Sequence, residues 1–179
     1  MASDNPFLWW LPSGGADTGK GKAAPLPDVH DKPGYLIRRA QQIAVAIFLE
    51  ECAGFDLTPV QYAALTATRE HPFIDATRIA GLIAFDRTTI SGVLERLESK
   101  GLLARTASKD DKRIKLLEIT AEGKTLLKAI EPAVERAQQR ILGPLDETEQ
   151  RTLLGLLGKL VDHNNDASRA PRRPLADKA

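Results

Sequence analysis

The chain has almost no cysteine. Cys52 stands alone among 179 residues, which excludes an intrachain disulfide framework and fits a reducing compartment. No apolar run approaches the ~20 residues needed to span a bilayer. The N-terminal stretch "PFLWWLP" is too short for a signal-peptide core and no basic segment precedes it, so the expected location is cytoplasmic. His30, His71 and His163 are scattered, so no compact His/Cys cluster offers a metal site. No glycine-rich phosphate loop and no nucleophile-base spacing is visible, so nothing supports an enzyme or a bound cofactor. The formal net charge is only +1, which argues against a protein that coats nucleic acid by bulk charge but leaves room for local basic patches.

What is present is mostly helical periodicity between two polar ends. Residues 1–31 are rich in Gly, Pro, Ala and Ser and are expected to form a flexible tail, with the aromatic residues Phe7, Trp9 and Trp10 as the exception to its character. Residues 164–179 are again polar and Pro-containing, and are read as a frayed tail whose Arg169, Arg172 and Arg173 offer phosphate contacts. Between them, Leu36, Ile37, Ala40, Ile43, Ala44, Ile47 and Phe48 mark one face of a long first helix. "LTPVQYAALTATREH" opens a second, with Thr58 as N-cap, Pro59 at the first position and Gln61 closing a capping box. A short helix follows Asp75. Another follows Asp86 as its cap and ends at Gly101.

The segment "LLARTASKDDKRIKLLEIT" changes character to a two-stranded hairpin with a polar tip. After Thr120 a helical stripe of Leu126, Leu127, Ile130, Val134, Ala137 and Ile141 returns, with Pro132 expected to bend it. A last helix starts at the capping box of Asp146 and Glu149. The expected fold class is mainly α with a small β-hairpin wing. The first, fifth and sixth helices flank the central unit instead of covering it, and carry more apolar surface than so small a domain buries alone, so a second copy of the chain is the expected partner.

A short helix, a tight connection, a second helix and a hairpin make a winged helix-turn-helix, whose second helix enters the DNA major groove. Its opening carries Arg87, Thr88, Thr89, Ser91 and Gly92 where Lys, Glu or Ala would favour a helix more. Short hydroxyls at Thr88, Thr89 and Ser91 suit base edges, and Gly92 lets the backbone come close. Arg87 and Arg96 suit phosphates, which fix register without reading sequence. Between Asp75 and Glu118 there are nine Lys/Arg against seven Asp/Glu. At the hairpin tip Asp111 can hold Arg113 extended for a narrow minor groove, with Lys109 and Lys112 flanking the backbone.

The segment "FDRTTISGVLERLESKGLLARTASKDDKRIKLLEITAEGKTLL" resembles the signature region of the multiple antibiotic resistance regulator (MarR) family of bacterial transcription factors. The matching elements are Asp-Arg-Thr-Thr, Leu-Glu-x-Lys-Gly-Leu, the wing's Asp-x-Arg at Asp111 and Arg113, and Ile-Thr-x-x-Gly at Ile119, Thr120 and Gly123. The likeness extends from about Tyr35 to His163. It implies a homodimer on a pseudo-palindromic operator of double-stranded DNA. The winged domain would span 32–163, with a DNA-binding lobe near 55–120 and dimerisation helices at 32–53 and 121–163. Where many members carry a large polar residue this sequence has Gly92. That variant, with "HPFIDATRIA", is similar to the subgroup that regulates aromatic-acid catabolism, including repressors responsive to nicotinate-type compounds. The resemblance therefore implies a small aromatic carboxylate ligand, for which Tyr35, Arg38, Arg39, Tyr62, Arg69 and His71 are the candidate contacts. Some relatives sense oxidants through a cysteine. Here "EEC" sets acids beside Cys52 that raise a thiol pKa, which favours an inert thiol over the redox alternative.

Overall fold

The computed structural model describes residues 28–108, 111 and 113–175. Phe7, Trp9 and Trp10, and the wing lysines Lys109 and Lys112, lie outside the described residues. Two compact units divide the chain, Met1–Leu36 and Ile37–Ala179. In the first, Asp28 caps a 3-10 turn at Val29–Asp31 by accepting from the His30 backbone N–H. The His30 ring meets Tyr35 edge-on, with centroids 4.9 Å apart.

Six α-helices and three short strands follow in the order α1 (Pro33–Glu51), α2 (Pro59–Glu70), β1 (Ile74–Asp75), α3 (Ala76–Leu82), α4 (Ile90–Ser99), β2 (Leu103–Ala107), β3 (Lys115–Ile119), α5 (Ala121–Leu142) and α6 (Glu147–His163). Local chemistry sets most of these boundaries. Thr58 and Gln61 form a reciprocal capping box at the start of α2, and Asp146 and Glu149 do the same for α6. Asp75 caps α3 through the Arg78 N–H. At the end of α4, Gly101 takes φ +70°, its N–H donates to Glu98 O at 2.8 Å and the Leu102 N–H to Leu97 O at 2.9 Å. This is the Schellman ending, which a left-handed glycine allows without Cβ strain. α5 continues unbroken through Pro132.

The wing is more than the two-stranded hairpin that the sequence implies. β2 and β3 pair antiparallel with Arg105 opposite Leu117, and β1 adds a third strand on the other side of β3 through Ile74 and Leu117. Buried Leu65, Ile79, Ile90, Leu94, Leu97, Leu117 and Ile130 tie α2, α3, α4, the sheet and α5 into one core. The end of α1 is pinned to α5 by Arg140, 2.7 Å from Glu50, and by Arg136, 3.2 Å from Glu51.

The outer helices are less well covered. On α1 the chain buries only Phe48, and Ile37 and Ile43 are exposed. α6 buries nothing, although Leu153, Leu154, Leu156, Leu157, Leu160 and Val161 lie along it. A contiguous apolar face of this kind marks an interaction surface. The C-terminal segment also departs from the expected frayed tail. Asn165–Ala167 form a 3-10 turn and the chain then folds back, because Asn165 and Arg172 hydrogen-bond each other in both directions.

Candidate nucleic-acid interface

α4 is amphipathic in the sense its spacing implies. Ile90, Val93, Leu94 and Leu97 are buried, while Ser91, Glu95, Arg96 and Ser99 are exposed. Gly92, next to Ser91, is half-buried, and a Cβ built there meets nothing within 4 Å. Among the described residues, no neighbour requires a glycine at this position.

The opening of the helix differs from the sequence reading. α4 begins at Ile90, so Arg87, Thr88 and Thr89 form a turn ahead of it instead of its first turn. Asp86 organises that turn. Its Oδ1 accepts the Thr88 N–H at 2.9 Å, the Thr89 N–H at 3.2 Å, the Thr89 hydroxyl at 2.8 Å and the Thr88 hydroxyl. These donors, the Thr88 hydroxyl first, hold the carboxyl at about 2, so it is ionised at neutral pH. The consequence for readout is specific. Both threonine hydroxyl protons are committed to Asp86, so of the donors, acceptors and methyl groups that the sequence suggests, Thr88 and Thr89 keep the acceptor lone pairs and methyl groups for a ligand. Ser91 lies outside this network. Glu95, four residues on from Ser91, shares the exposed face and was missed by sequence reading. The i,i+4 spacing was the available signal, and a carboxylate there suits a cytosine amino group. Arg87 reaches back to α3, donating to the Thr77 hydroxyl at 3.3 Å.

On the wing, Asp111 and Arg113 form the expected pair. The Arg113 N–H donates to Asp111 Oδ1 at 2.9 Å, Nε to both carboxylate oxygens at 3.1 and 3.2 Å, and an Nη to Oδ2 at 3.0 Å. The guanidinium lowers the Asp111 pKa, and the carboxylate raises that of Arg113. The Arg113 side chain is nonetheless 91% exposed. It is therefore oriented by one neighbour and open to a partner on its other edges.

The residues proposed for a small ligand each have their own local surroundings. Arg38 donates to Gln42 at 3.0 Å, and Arg39 is exposed. Tyr62 packs its ring 6.0 Å from that of Phe48. Arg69 lies 3.8 Å from Glu70, and His71 caps the end of α2 through its N–H to Ala67 O. Tyr35 is half-buried in the first unit. Cys52 is 1% exposed. Burial first and Glu51 second push its thiol up, against Arg136, so the reactive thiolate is disfavoured.

A winged helix-turn-helix with an open reading face and a carboxylate-held wing arginine is a DNA-binding architecture, and comparison with known proteins assigns it. The MarR family model matches residues 57–115. The HTH-type transcriptional repressor NicR of Pseudomonas putida is 31% identical over 140 residues, covering 78% of this chain and 89% of NicR. The chain belongs to the MarR family.

Solved MarR-type structures agree. BpsR of Bordetella bronchiseptica, whose DNA binding is regulated by 6-hydroxynicotinic acid, superposes with a TM-score of 0.71 at 32% identity, over 75% of this chain and 96% of BpsR. The transcriptional repressor CouR, solved on a 23-mer DNA duplex, gives a TM-score of 0.71 at 28% identity, over 78% of this chain and 99% of CouR. This MarR protein is accordingly a transcriptional regulator, as its relatives are. Among its described residues no helix is long and apolar enough to cross a membrane.

Proposed function

We propose that this MarR regulator is a homodimeric repressor that leaves its operator when a small aromatic carboxylate of the hydroxynicotinate or benzoate type binds. The observation that carries the DNA-binding part is the α4 face. It exposes Ser91 and Glu95, with the half-buried Gly92 beside them, behind a turn whose threonines are fixed by Asp86, flanked by an Arg113 already oriented by Asp111. The dimer is supported by the apolar face of α6, which nothing among the described residues buries. The ligand class rests on likeness to NicR and to BpsR. On this reading Arg38, Arg39, Arg69 and His71 are the candidate partners of the ligand's carboxylate, and Tyr62 of its ring. Ligand binding shifts the dimer toward a lobe spacing that no longer fits successive major grooves, which requires different affinity for the two states.

The test is a binding assay on duplexes that the protein itself selects from a random pool, with 6-hydroxynicotinate, nicotinate, benzoate and salicylate as competitors. At least one acid is expected to raise the melting temperature of the free protein and to release the duplex. Selection of no sequence would overturn the regulator reading at the DNA step, and intact binding indifferent to all four acids would overturn the ligand class. In the same assay Arg113→Ala is expected to weaken binding and flatten its salt dependence by about 1 per wing. An unchanged slope would remove the wing from the interface.

Gly92→Ala separates folding from recognition. A Cβ at this position meets open space, so the variant is expected to stabilise α4 by about 0.5–1 kcal/mol, the usual advantage of alanine over glycine in a helix. It is expected to bind the selected duplex more weakly. A melting curve and a titration check both, and undiminished affinity would show that DNA does not approach this glycine.

A further inference from the structure

The ordered C-terminal segment is used neither by the winged fold nor by the proposed ligand response. After α6 it returns to the reading head, the unit of α3, α4 and the turn between them, closed on itself by one residue pair and fixed to the rest of the fold at two places. Asn165 accepts the Arg172 N–H at 2.8 Å and donates to Arg172 O at 3.2 Å. The Arg173 N–H donates to Gly81 O, on α3, at 2.8 Å. Leu175 packs against the core. Gly81 makes the approach possible, because a Cβ there would stand 3.2 Å from that of Arg173.

Between this segment and the α3–α4 turn lies a cleft of about 520 Å³, lined by Thr77, Phe85 and Arg87 on one side and Arg169, Pro171 and Arg173 on the other. Asp86, the one carboxylate in its lining, is engaged by the two threonines. Among the described residues Arg87, Arg169 and Arg173 enter no ion pair with a carboxylate, and the Arg87 side chain donates to the neutral Thr77 hydroxyl. Even with the ionised Asp86 in the lining, the three guanidinium groups leave a surplus of two positive charges around the cleft, which favours a further anion between them, and guanidinium groups suit phosphate oxygens in particular. Two of the lining residues belong to the motif that meets DNA, Thr77 at the start of α3 and Arg87 in the turn just ahead of α4.

The geometry points to a phosphate clamp: the segment 164–175 docks on the reading head so that Arg169 and Arg173 join Arg87 in gripping a backbone phosphate of the bound duplex. The clamp rests on the DNA-binding reading above. It also ties the end of α6 to the α3–α4 turn, so that the reading head is held by the chain from both ends.

The test measures the salt dependence of affinity for a duplex selected by the wild-type protein, between about 50 and 200 mM salt. Arg169→Ala/Arg173→Ala is expected to lower the slope of log affinity against log salt by about 1 for each phosphate lost, hence about 2 in a two-fold complex. Asn165→Ala keeps every cation but breaks both hydrogen bonds to Arg172. It is expected to flatten the slope as well, whereas an undocked basic arm would leave it unchanged. Wild-type slope in the double variant overturns the clamp while leaving the DNA-binding reading intact. Failure of the wild-type protein to prefer any duplex overturns both. Inorganic phosphate at millimolar concentration distinguishes the source of the anion. If it raises the melting temperature of the wild type alone, with the DNA slope of the double variant unaltered, the cleft takes a free anion and the clamp is wrong.

Discussion

Gly123→Ala is expected to cost about 3 kcal/mol of folding stability, near the upper end of what forcing a methyl into a packed site costs. Gly123 lies in the first turn of α5, where a Cβ would stand 2.4 Å from Leu102 O and 2.7 Å from Ile119 Cγ1. Neither neighbour can yield cheaply. The Leu102 carbonyl accepts the Thr120 N–H at 3.1 Å, and Ile119 is buried opposite Leu103 in the sheet. Thr120 adds to the clamp, donating its hydroxyl to Gly101 O at 2.7 Å while accepting the Gly123 N–H at 3.0 Å. The substitution would gain about 1 kcal/mol of helix propensity, so only a larger steric term can make it destabilising. The contrast with Gly92→Ala, where the same propensity acts without a clash, isolates that term. A fall in melting temperature of about 6–12 °C is expected for a chain of this size. A melting temperature equal to or above wild type would refute the close approach of α5 to the end of the reading helix.

The second large effect is expected at α6. Leu156 and Leu160 stand one turn apart on a helix that buries no residue among those described, and Leu156 is 61% exposed. Each leucine fully buried in an interface contributes about 1.5–3 kcal/mol, and two-fold symmetry uses each one twice. Leu156→Glu/Leu160→Glu is therefore expected to shift a dimer to monomer at micromolar concentration, since carboxylates in an apolar interface also lose their hydration. Because two half-sites held by one dimer bind far more tightly than either alone, affinity for the selected duplex should fall by about 100-fold or more. Sedimentation and DNA titration read the two consequences separately. A variant that sediments as wild type does would mean that this face is not the dimer contact.

Much of the candidate site was legible because its determinants are close in sequence. Asp111 and Arg113 are two residues apart, and their bidentate pair follows from that spacing. The buried face of α4 was given by Ile90, Val93, Leu94 and Leu97, and the caps at Thr58 and Asp146 by residues three positions away. The roles of Thr88 and Thr89 were only half legible. Asp86 was recognisable as a cap, but whether its carboxylate takes backbone N–H groups alone or the side-chain hydroxyls as well depends on the turn that precedes the helix. Glu95 was overlooked although its spacing from Ser91 was plain.

The sequence by itself determined the order of helices, their caps, the apolar stripes, the wing arginine with its carboxylate and the likeness to MarR regulators. All of these are short-range patterns, set by hydrogen bonds or side-chain periods within about four residues. Tertiary structure alone decided the third strand, where two residues, Ile74 and Asp75, are too few to show a period and pair only because β3 passes beside them. It also decided why position 123 has no side chain, and that Arg173 docks on Gly81, 92 positions earlier in the chain. Such contacts depend on surfaces that exist only once the core has formed, and no local period records them.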